Sequence, residues 1–273
     1  MMKVDKEKCI ACGMCVKDCI VRDIEIVDNK AEIKNEKCFK CGHCIAICPK
    51  DAVSSDVYDM NEVKPYNKEE FDISPDNLLN FIKFRRSTRH FKDKDVEKEK
   101  LEKILEAGRF TQTGSNSQNV SYVVVKDSLD KLKEITLETL NASGKHILDN
   151  LNESNIMYKP YAEMWVRMYD AYKMNPKNDS VFFNAPAVIL VVSDSEVNAA
   201  LASSNMELMT NALGLGTFFS GFLVKASENN KEIKKLVGLE ENQKIVTCMV
   251  IGYPSVKYQR TVPRNEAKVT WKL

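Results

Sequence analysis

Eight of the nine cysteines fall before residue 51, and they constrain this chain more than any other feature. They lie in two runs, CIACGMCVKDCI at residues 9–20 and CFKCGHCIAICP at 38–49, with the same spacing and an offset of 29 residues. In a cytosolic chain, clustered cysteines bind metal more often than they pair as disulfides. Zinc sites favour two CxxC pairs. Three cysteines at two-residue gaps instead wrap one corner of a cubane, and a fourth, three residues on, reaches away from it. The spacing therefore favours iron–sulfur chemistry over zinc or disulfide staples. His43 sits inside the second run, but with four thiolates available it reads as a loop residue beside a cluster.

The doubled run resembles the two-cluster bacterial ferredoxins, in which the fourth cysteine of each run ligates the other cluster. That resemblance implies one 4Fe-4S cluster on Cys9, Cys12, Cys15 and Cys48 and a second on Cys19, Cys38, Cys41 and Cys44. Pro49 follows Cys48 as the pattern asks, whereas Ile20 stands where the first run would have proline. Between the runs, Ile24, Ile26, Ala31 and Ile33 flank Asp28-Asn29-Lys30, the alternation and turn of a short hairpin. The segment from Val53 to Ser74 is polar, contains Pro65 and reads as a linker. The expected organisation is an iron–sulfur domain over 1–60, a linker over 61–74 and a larger domain over 75–273.

The 273 residues, 44% of them apolar, suffice for a globular protein with a real core. Net charge is +1, and residues 1–60 carry ten basic against eleven acidic side chains, leaving 30 against 28 in the rest. Neither part looks built to hold nucleic acid or an anionic membrane. The longest apolar run, around Ala185 to Val192, is far short of the roughly 20 residues a membrane helix needs, and MMKVDKEKC lacks a signal-peptide core. The reading is of a soluble cytoplasmic protein.

Beyond the linker, Ser74 and Pro75 can open a helix whose Leu78, Leu79 and Ile82 supply a buried stripe. It leads into Arg85-Arg86-Ser87-Thr88-Arg89, a dense set of forked donors suited to a phosphate. Taken alone, that run reads equally as a phosphate site or a solvated basic turn. Asp95 can cap a helix with Leu101, Ile104, Leu105 and Gly108 on one face. A Ser/Asn/Gln loop then enters a β-branched strand, Tyr122 to Val125. NAPAVILVVSD reads as a central strand, Asn198 to Leu213 as a long apolar helix, and KIVTCMVIGYP as another buried strand that holds Cys248 as an inert thiol.

From about Ser74 onward the chain resembles the nitroreductase family of flavoproteins. The matching residues are RRSTR at 85–89, SNSQ at 115–118, LGLGTFFSGF at 213–222, IGYP at 251–254 and Arg264. The resemblance implies an α+β fold, a mixed sheet wrapped by helices, with FMN at the interface of an intertwined homodimer. It places Arg85, Arg86, Ser87 and Arg89 on the flavin's phosphate, ribityl chain and ring edge, with Arg264 completing the phosphate site. Asn116 and Gln118 would hydrogen-bond the ring system, and Ser220 and Gly221 would approach its N5 side. A glycine at 221 would let a backbone N–H come close to the flavin, and positive charge near N1 would stabilise the anionic reduced ring. The family commonly continues its Asn-x-Gln loop with Pro-Trp, whereas Asn119-Val120 follow here. The segment 141–184 matches no family pattern. Its Tyr158, Tyr161, Trp165, Met168, Tyr169 and Tyr172, near helical spacing, read first as a core or dimer face and second as an aromatic cover over a substrate space.

Gly214, Gly216 and Gly221 do not make a nicotinamide-binding fingerprint, because the third interval is wrong and a helix precedes them. The two resemblances together imply a converter. Low-potential clusters deliver single electrons, and FMN can store two and pass a pair or a hydride to an organic acceptor. Electrons would come from reduced ferredoxin or a ferredoxin-reducing enzyme and leave to a nitroaromatic, quinone, halogenated aromatic or similar small molecule. The alternative is a flavo-ferredoxin carrier that serves a protein partner. Oxygen damages exposed clusters, which points to an anaerobe or a reducing cytosol.

Overall fold

The computed structural model describes residues 1–228 and 230–273. The chain divides into two compact units. One comprises Met1–Ile73 with Thr113–Gln118, the other Ser74–Gln112 with Asn119–Leu273.

In the first unit β1 (Met2–Val4), α1 (Met14–Asp18), β2 (Ile24–Val27), β3 (Lys30–Ile33), α2 (His43–Ala46), β4 (Val53–Ser55) and α3 (Lys68–Phe71) follow in order. Strands β2 and β3 form the expected hairpin, with Ile24 opposite Ile33 and Ile26 opposite Ala31. Its two turn residues, Asp28 and Asn29, both have positive φ, 47° and 58°, the geometry that matches the twist of a two-residue hairpin. Val53–Ser55, read from sequence as the start of the linker, instead pairs antiparallel with β1 and buries Val53 and Ser55. The backbone repeats with the cysteines. Gly13 and Gly42 precede α1 and α2 at φ 72° and 76°, and Ala11 and Lys40 both lie at φ 54°.

In the second unit α4 (Pro75–Phe84), α5 (Lys98–Arg109), β5 (Ser121–Val125), α6 (Leu129–Asp149), α7 (Lys159–Met174), β6 (Ala187–Val192), α8 (Glu196–Ala212), β7 (Gly216–Phe219), α9 (Gly221–Ser227), α10 (Lys231–Leu236) and β8 (Ile245–Gly252) follow. The strands form one antiparallel sheet in the order β5-β6-β8-β7. Its mixed character comes from a parallel bridge of Ser87 on Thr217. All six residues of β6 are buried, as an apolar strand covered on both faces requires. Val188, Leu190 and Val192 join one core cluster with residues of α6, α7 and α9, while Ala187, Ile189 and Val191 join another with residues of α5 and α8. Helices α6 and α7 approach so closely at Gly144 that a Cβ there would lie 2.8 Å from the Ala162 carbonyl oxygen.

Two local expectations change. Asp95 does not cap α5. Glu97 holds that position, and Asp95 accepts from the Val96 amide and pairs with Lys126. Helix α4 forms where Ser74-Pro75 predicts it, but it has no buried residue, and Leu78, Leu79, Ile82 and Phe84 are exposed. Among the described residues the stripe has no cover. Among the described residues, no helix is long and apolar enough to cross a membrane.

Candidate functional site

The first unit contains two cysteine-lined cavities. Cys9, Cys12, Cys15 and Cys48 line one, together with Gly13 and Pro49. Cys19, Cys38, Cys41 and Cys44 line the other, together with Phe39, Gly42 and His43. The short helices α1 and α2 carry Cys15 and Cys44, and the left-handed glycines before them turn each chain segment around its cavity. Backbone N–H groups meet the sulfurs. Ala31 donates to Cys9 at 3.3 Å, Ala52 to Cys48 at 3.3 Å, Asp23 to Cys19 at 3.4 Å and Lys40 to Cys38 at 3.4 Å. The Ala31 bond holds the Cys9 thiol below its ordinary pKa. Burial, then the neighbouring Cys38 and Cys41, pushes Cys44 up to about 11. A site that needs Cys44 as thiolate must therefore supply strong positive charge, as iron does.

Each cavity thus gathers three cysteines of one run and the fourth of the other, the sharing that a pair of cubanes requires. His43 lies beside the second cavity, with Nδ1 3.1 Å from Asp18 Oδ2.

The second unit has a cavity of about 410 Å³ lined by Arg89, Tyr161, Trp165, Ser180, Phe183, Phe218, Phe219, Ser220, Gly221, Phe222 and Lys225. It forms where the arginine run is pinned to the sheet edge. Ser87 bridges Thr217, and the Thr88 amide donates to the Thr217 carbonyl at 3.0 Å. Gly216 makes this approach possible, since a Cβ there would sit 2.7 Å from Thr88 Cβ. The same edge continues into Ser220 and Gly221, which begin α9. Arg89 lies over the Phe218 ring at 5.2 Å, and Phe218 meets Phe183 edge to face at 5.3 Å. Around Gly221 a Cβ would find nothing within 4 Å, so there is room for a flat group to reach the backbone. The Ser220 hydroxyl donates to the Val181 carbonyl at 3.0 Å and leaves the start of α9 without a side-chain cap. The combination of a cation, a wall of aromatic rings and open backbone donors fits an isoalloxazine ring.

Of the nine residues expected around a flavin, Arg89, Ser220 and Gly221 come together on this cavity. Arg85 reaches the buried Glu207 of α8 at 3.1 Å. Burial raises the Glu207 carboxyl pKa, and the Arg85 charge opposes that rise. Arg86 donates from Nη2 to the Lys83 carbonyl, while its Nε is buried without a protein partner, an orphan donor that a phosphate oxygen would satisfy. Ser87 is exposed on its bridge. Arg264 is exposed in the C-terminal segment and donates to the Pro263 carbonyl. Asn116 and Gln118 fall in the first unit. Asn116 Nδ2 donates to the carbonyls of Phe39 (3.0 Å) and Lys40 (3.1 Å), and Gln118 Nε2 to the Tyr58 hydroxyl (2.7 Å).

The aromatic segment divides between its two readings. Trp165 and Met168 are buried in the core with Tyr169 and Tyr172 packed against it, while Tyr161 and one side of Trp165 also line the cavity. Sequence reasoning missed Asp179. Its side chain is 1% exposed, accepts from the amides of Val181, Phe182 and Asn184 at 2.9, 2.8 and 3.0 Å, and lies 3.5 Å from the buried Lys133. Burial works against the Lys133 ammonium, yet Asp179 and Asp130 hold its pKa above the ordinary lysine value. These bonds shape the loop that places Ser180 and Phe183 on the cavity and holds Phe183 and Asn184 at positive φ. The one sequence signal was Asp179 itself, in an Asx-type position two residues before an apolar pair.

Residues 82–253 match the family described as "Nitroreductase family", and residues 1–49 match a "4Fe-4S dicluster domain". An NADPH-dependent oxidoreductase of Staphylococcus haemolyticus is 27% identical over 184 residues, 66% of this chain and 66% of that protein. The iodotyrosine deiodinase of Hydra vulgaris is 24% identical over 230 residues, 75% of this chain and 76% of that one. A nitroreductase from Bacteroides fragilis, solved with bound FMN, superposes with a TM-score of 0.52 at 20% identity, over 71% of this chain and 98% of that one. That likeness shows the fold.

Proposed function

The chain belongs to the nitroreductase family, carries a 4Fe-4S dicluster domain as well and is a flavin-dependent oxidoreductase; we propose that it takes electrons from a one-electron iron–sulfur donor and delivers them in pairs to a small aromatic or quinoid acceptor. The donor class is reduced ferredoxin or an enzyme that reduces ferredoxin. Two donor molecules are oxidised for each acceptor that gains two electrons, with two protons taken from solvent. When bound, FMN and the two clusters supply the exchange between single electrons and electron pairs. The observation that carries this reading is the presence in one chain of two cysteine-lined cavities and a third, aromatic-walled one open to the Gly221 backbone.

Each part of the chain has a task in this reading. The two quartets would hold the clusters. Arg85, Arg86 and Ser87 would hold the flavin phosphate and ribityl chain, Arg89 would place positive charge at the ring edge, and Ser220 and Gly221 would present backbone donors. Tyr161, Trp165 and Phe183 would confine a planar acceptor, and Lys225 would favour an anionic or electron-withdrawing substituent on it. The likeness to an iodotyrosine deiodinase, an enzyme named for an aromatic halide, supports that class. A homodimer would cover the exposed apolar face of α4 and the exposed Val269 and Trp271, and would bring Arg264 to a flavin.

The test is a stopped-flow experiment under nitrogen with anaerobically purified protein, which should contain about eight irons per chain, as two cubanes require, and one FMN. Reduced ferredoxin should bleach the flavin faster than NADPH does, and a nitroaromatic, quinone or halophenol should restore its colour. Faster bleaching by NADPH would reverse the proposed donor, and stoichiometric zinc with little iron would sink the cluster reading.

The phosphate site gives a second expected outcome. Arg85→Ala removes a charge-assisted contact and should weaken FMN binding about ten- to a hundredfold, with iron content unchanged. Glu207→Gln keeps the shape but frees Arg85 from its carboxylate, so it should weaken binding less than Arg85→Ala does. Equal FMN retention in wild type and Arg85→Ala, measured by equilibrium dialysis, would place the phosphate elsewhere.

A further inference from the structure

The loop Thr113–Gln118 belongs by its contacts to the first unit, although in the chain it joins α5 to β5. Ser115, Asn116 and Gln118 have φ of 51°, 52° and 47°, a region that non-glycine residues keep only when their surroundings hold them there. Part of the hold is local. The Gln118 amide donates to Thr113 Oγ1 at 2.9 Å, and the Asn116 amide to the Thr113 carbonyl at 3.0 Å. The remainder is a network centred on Tyr58. Its hydroxyl donates to the Lys40 carbonyl at 2.9 Å and accepts from Gln118 Nε2 at 2.7 Å and from Asn116 Nδ2 at 3.4 Å. One donated and two accepted bonds are all that a phenol can make.

The target of this network is the turn between two ligand cysteines. Asn116 Nδ2 donates to the Phe39 carbonyl, and the Lys40 N–H donates to Cys38 Sγ at 3.4 Å. The Phe39 carbonyl and the Lys40 N–H are the two ends of one planar peptide unit, so holding the oxygen fixes the direction of the N–H. A donor at the oxygen also polarises the amide and strengthens its N–H toward the sulfur. An N–H aimed at a cluster thiolate offsets negative charge and favours the reduced cluster. The first repeat is braced differently. Lys30 Nζ donates to the Cys9 carbonyl at 2.6 Å, and Cys9 Sγ takes an N–H from Ala31 on β3.

We propose that Tyr58, Asn116 and Gln118 are positioning residues that clamp the Phe39–Lys40 turn and raise the potential of the cluster held by Cys19, Cys38, Cys41 and Cys44 above what that cluster has without them. This rests on the reading that both quartets hold cubanes. It assigns Asn116 and Gln118 to the iron–sulfur unit, where the family resemblance had implied the flavin ring.

The test is an anaerobic redox titration of the full-length protein followed by EPR, on wild type, Tyr58→Phe and Asn116→Ala. Both variants should keep their iron and FMN. One cluster should shift to a more negative potential, Asn116→Ala more than Tyr58→Phe. In Asn116→Ala the reduced-to-oxidised ratio at a fixed solution potential should fall about tenfold, equivalent to about 59 mV for a one-electron couple. The shifted signal should be the one that is missing from Cys44→Ala protein, and the other cluster should titrate as in wild type. Unchanged potentials for both clusters in both variants would overturn the proposal. So would loss of FMN from Asn116→Ala with both cluster signals unmoved, since the loop would then serve the flavin. Wild-type protein without two cubane signals would remove the parent reading, and this one with it.

Discussion

Asp179→Ala will lower the melting temperature of the second unit by on the order of 10 °C, a loss of about 3 to 5 kcal/mol in a unit of this size. The alanine removes the acceptor of three backbone amides and strips the buried Lys133 of its buried carboxylate, leaving it the exposed Asp130. The three orphaned amides and a buried ammonium left with one exposed partner share the cost. Because the same loop carries Ser180 and Phe183 and accepts from Ser220, FMN should also be lost at lower temperature than in wild type. Calorimetry or circular dichroism checks the stability, and flavin fluorescence reports the release. A melting point within about 2 °C of wild type, half the effect that 1 kcal/mol can have, would show that the Asp179 bonds are replaceable by water.

Cys44→Ala should cost about four of the eight irons, one cubane of two, and slow flavin bleaching by reduced ferredoxin at least a hundredfold. Dithionite, a small reductant that can reach the flavin directly, should still bleach it at close to the wild-type rate. The contrast separates loss of the electron route from loss of the flavin site, because Cys44 lies in the first unit and Arg89, Ser220 and Gly221 lie in the second. If ferredoxin bleaches the variant as fast as it does wild type, the second cluster is not on the inward route.

The cysteines announced their chemistry because cluster ligation depends on spacing within a dozen residues, a property that the fold hardly alters. Strands β6 and β8 were equally plain, since an apolar run of six to eight residues, broken in β8 by Thr247, has few places to go except the centre of a sheet. Residues whose partners are remote in the chain stayed hidden. Val53–Ser55 is a strand only because Met2–Val4 lies beside it, and nothing in VSS specifies that pairing. The α4 stripe was legible as an apolar face but its cover was not, since periodicity shows that a face needs cover without showing what covers it. Asn116 and Gln118 sit in a loop that matched a flavin pattern, and their bonds to Phe39 and Tyr58 cross 60 to 77 residues. Arg85 was legible as a cation. Its carboxylate partner, Glu207, lies 122 residues away on a helix that otherwise reads as apolar.

The two halves of the iron–sulfur unit repeat one backbone, down to the matched φ of Ala11 and Lys40 and of Gly13 and Gly42. Two sites on an exact twofold repeat would be equivalent, so any difference between them must come from positions where the repeat is broken or from what meets it from outside. Across the two cysteine runs Phe39 replaces Ile10, Lys40 replaces Ala11, His43 replaces Met14, Ile45 replaces Val16, Ala46 replaces Lys17, Ile47 replaces Asp18 and Pro49 replaces Ile20. The bond from Tyr58 to Lys40 is made to one of these positions. What distinguishes the two turns is met from outside them: Tyr58 and Asn116 bind the main-chain carbonyls of the second, so a frame that repeats can be told apart by its surroundings alone.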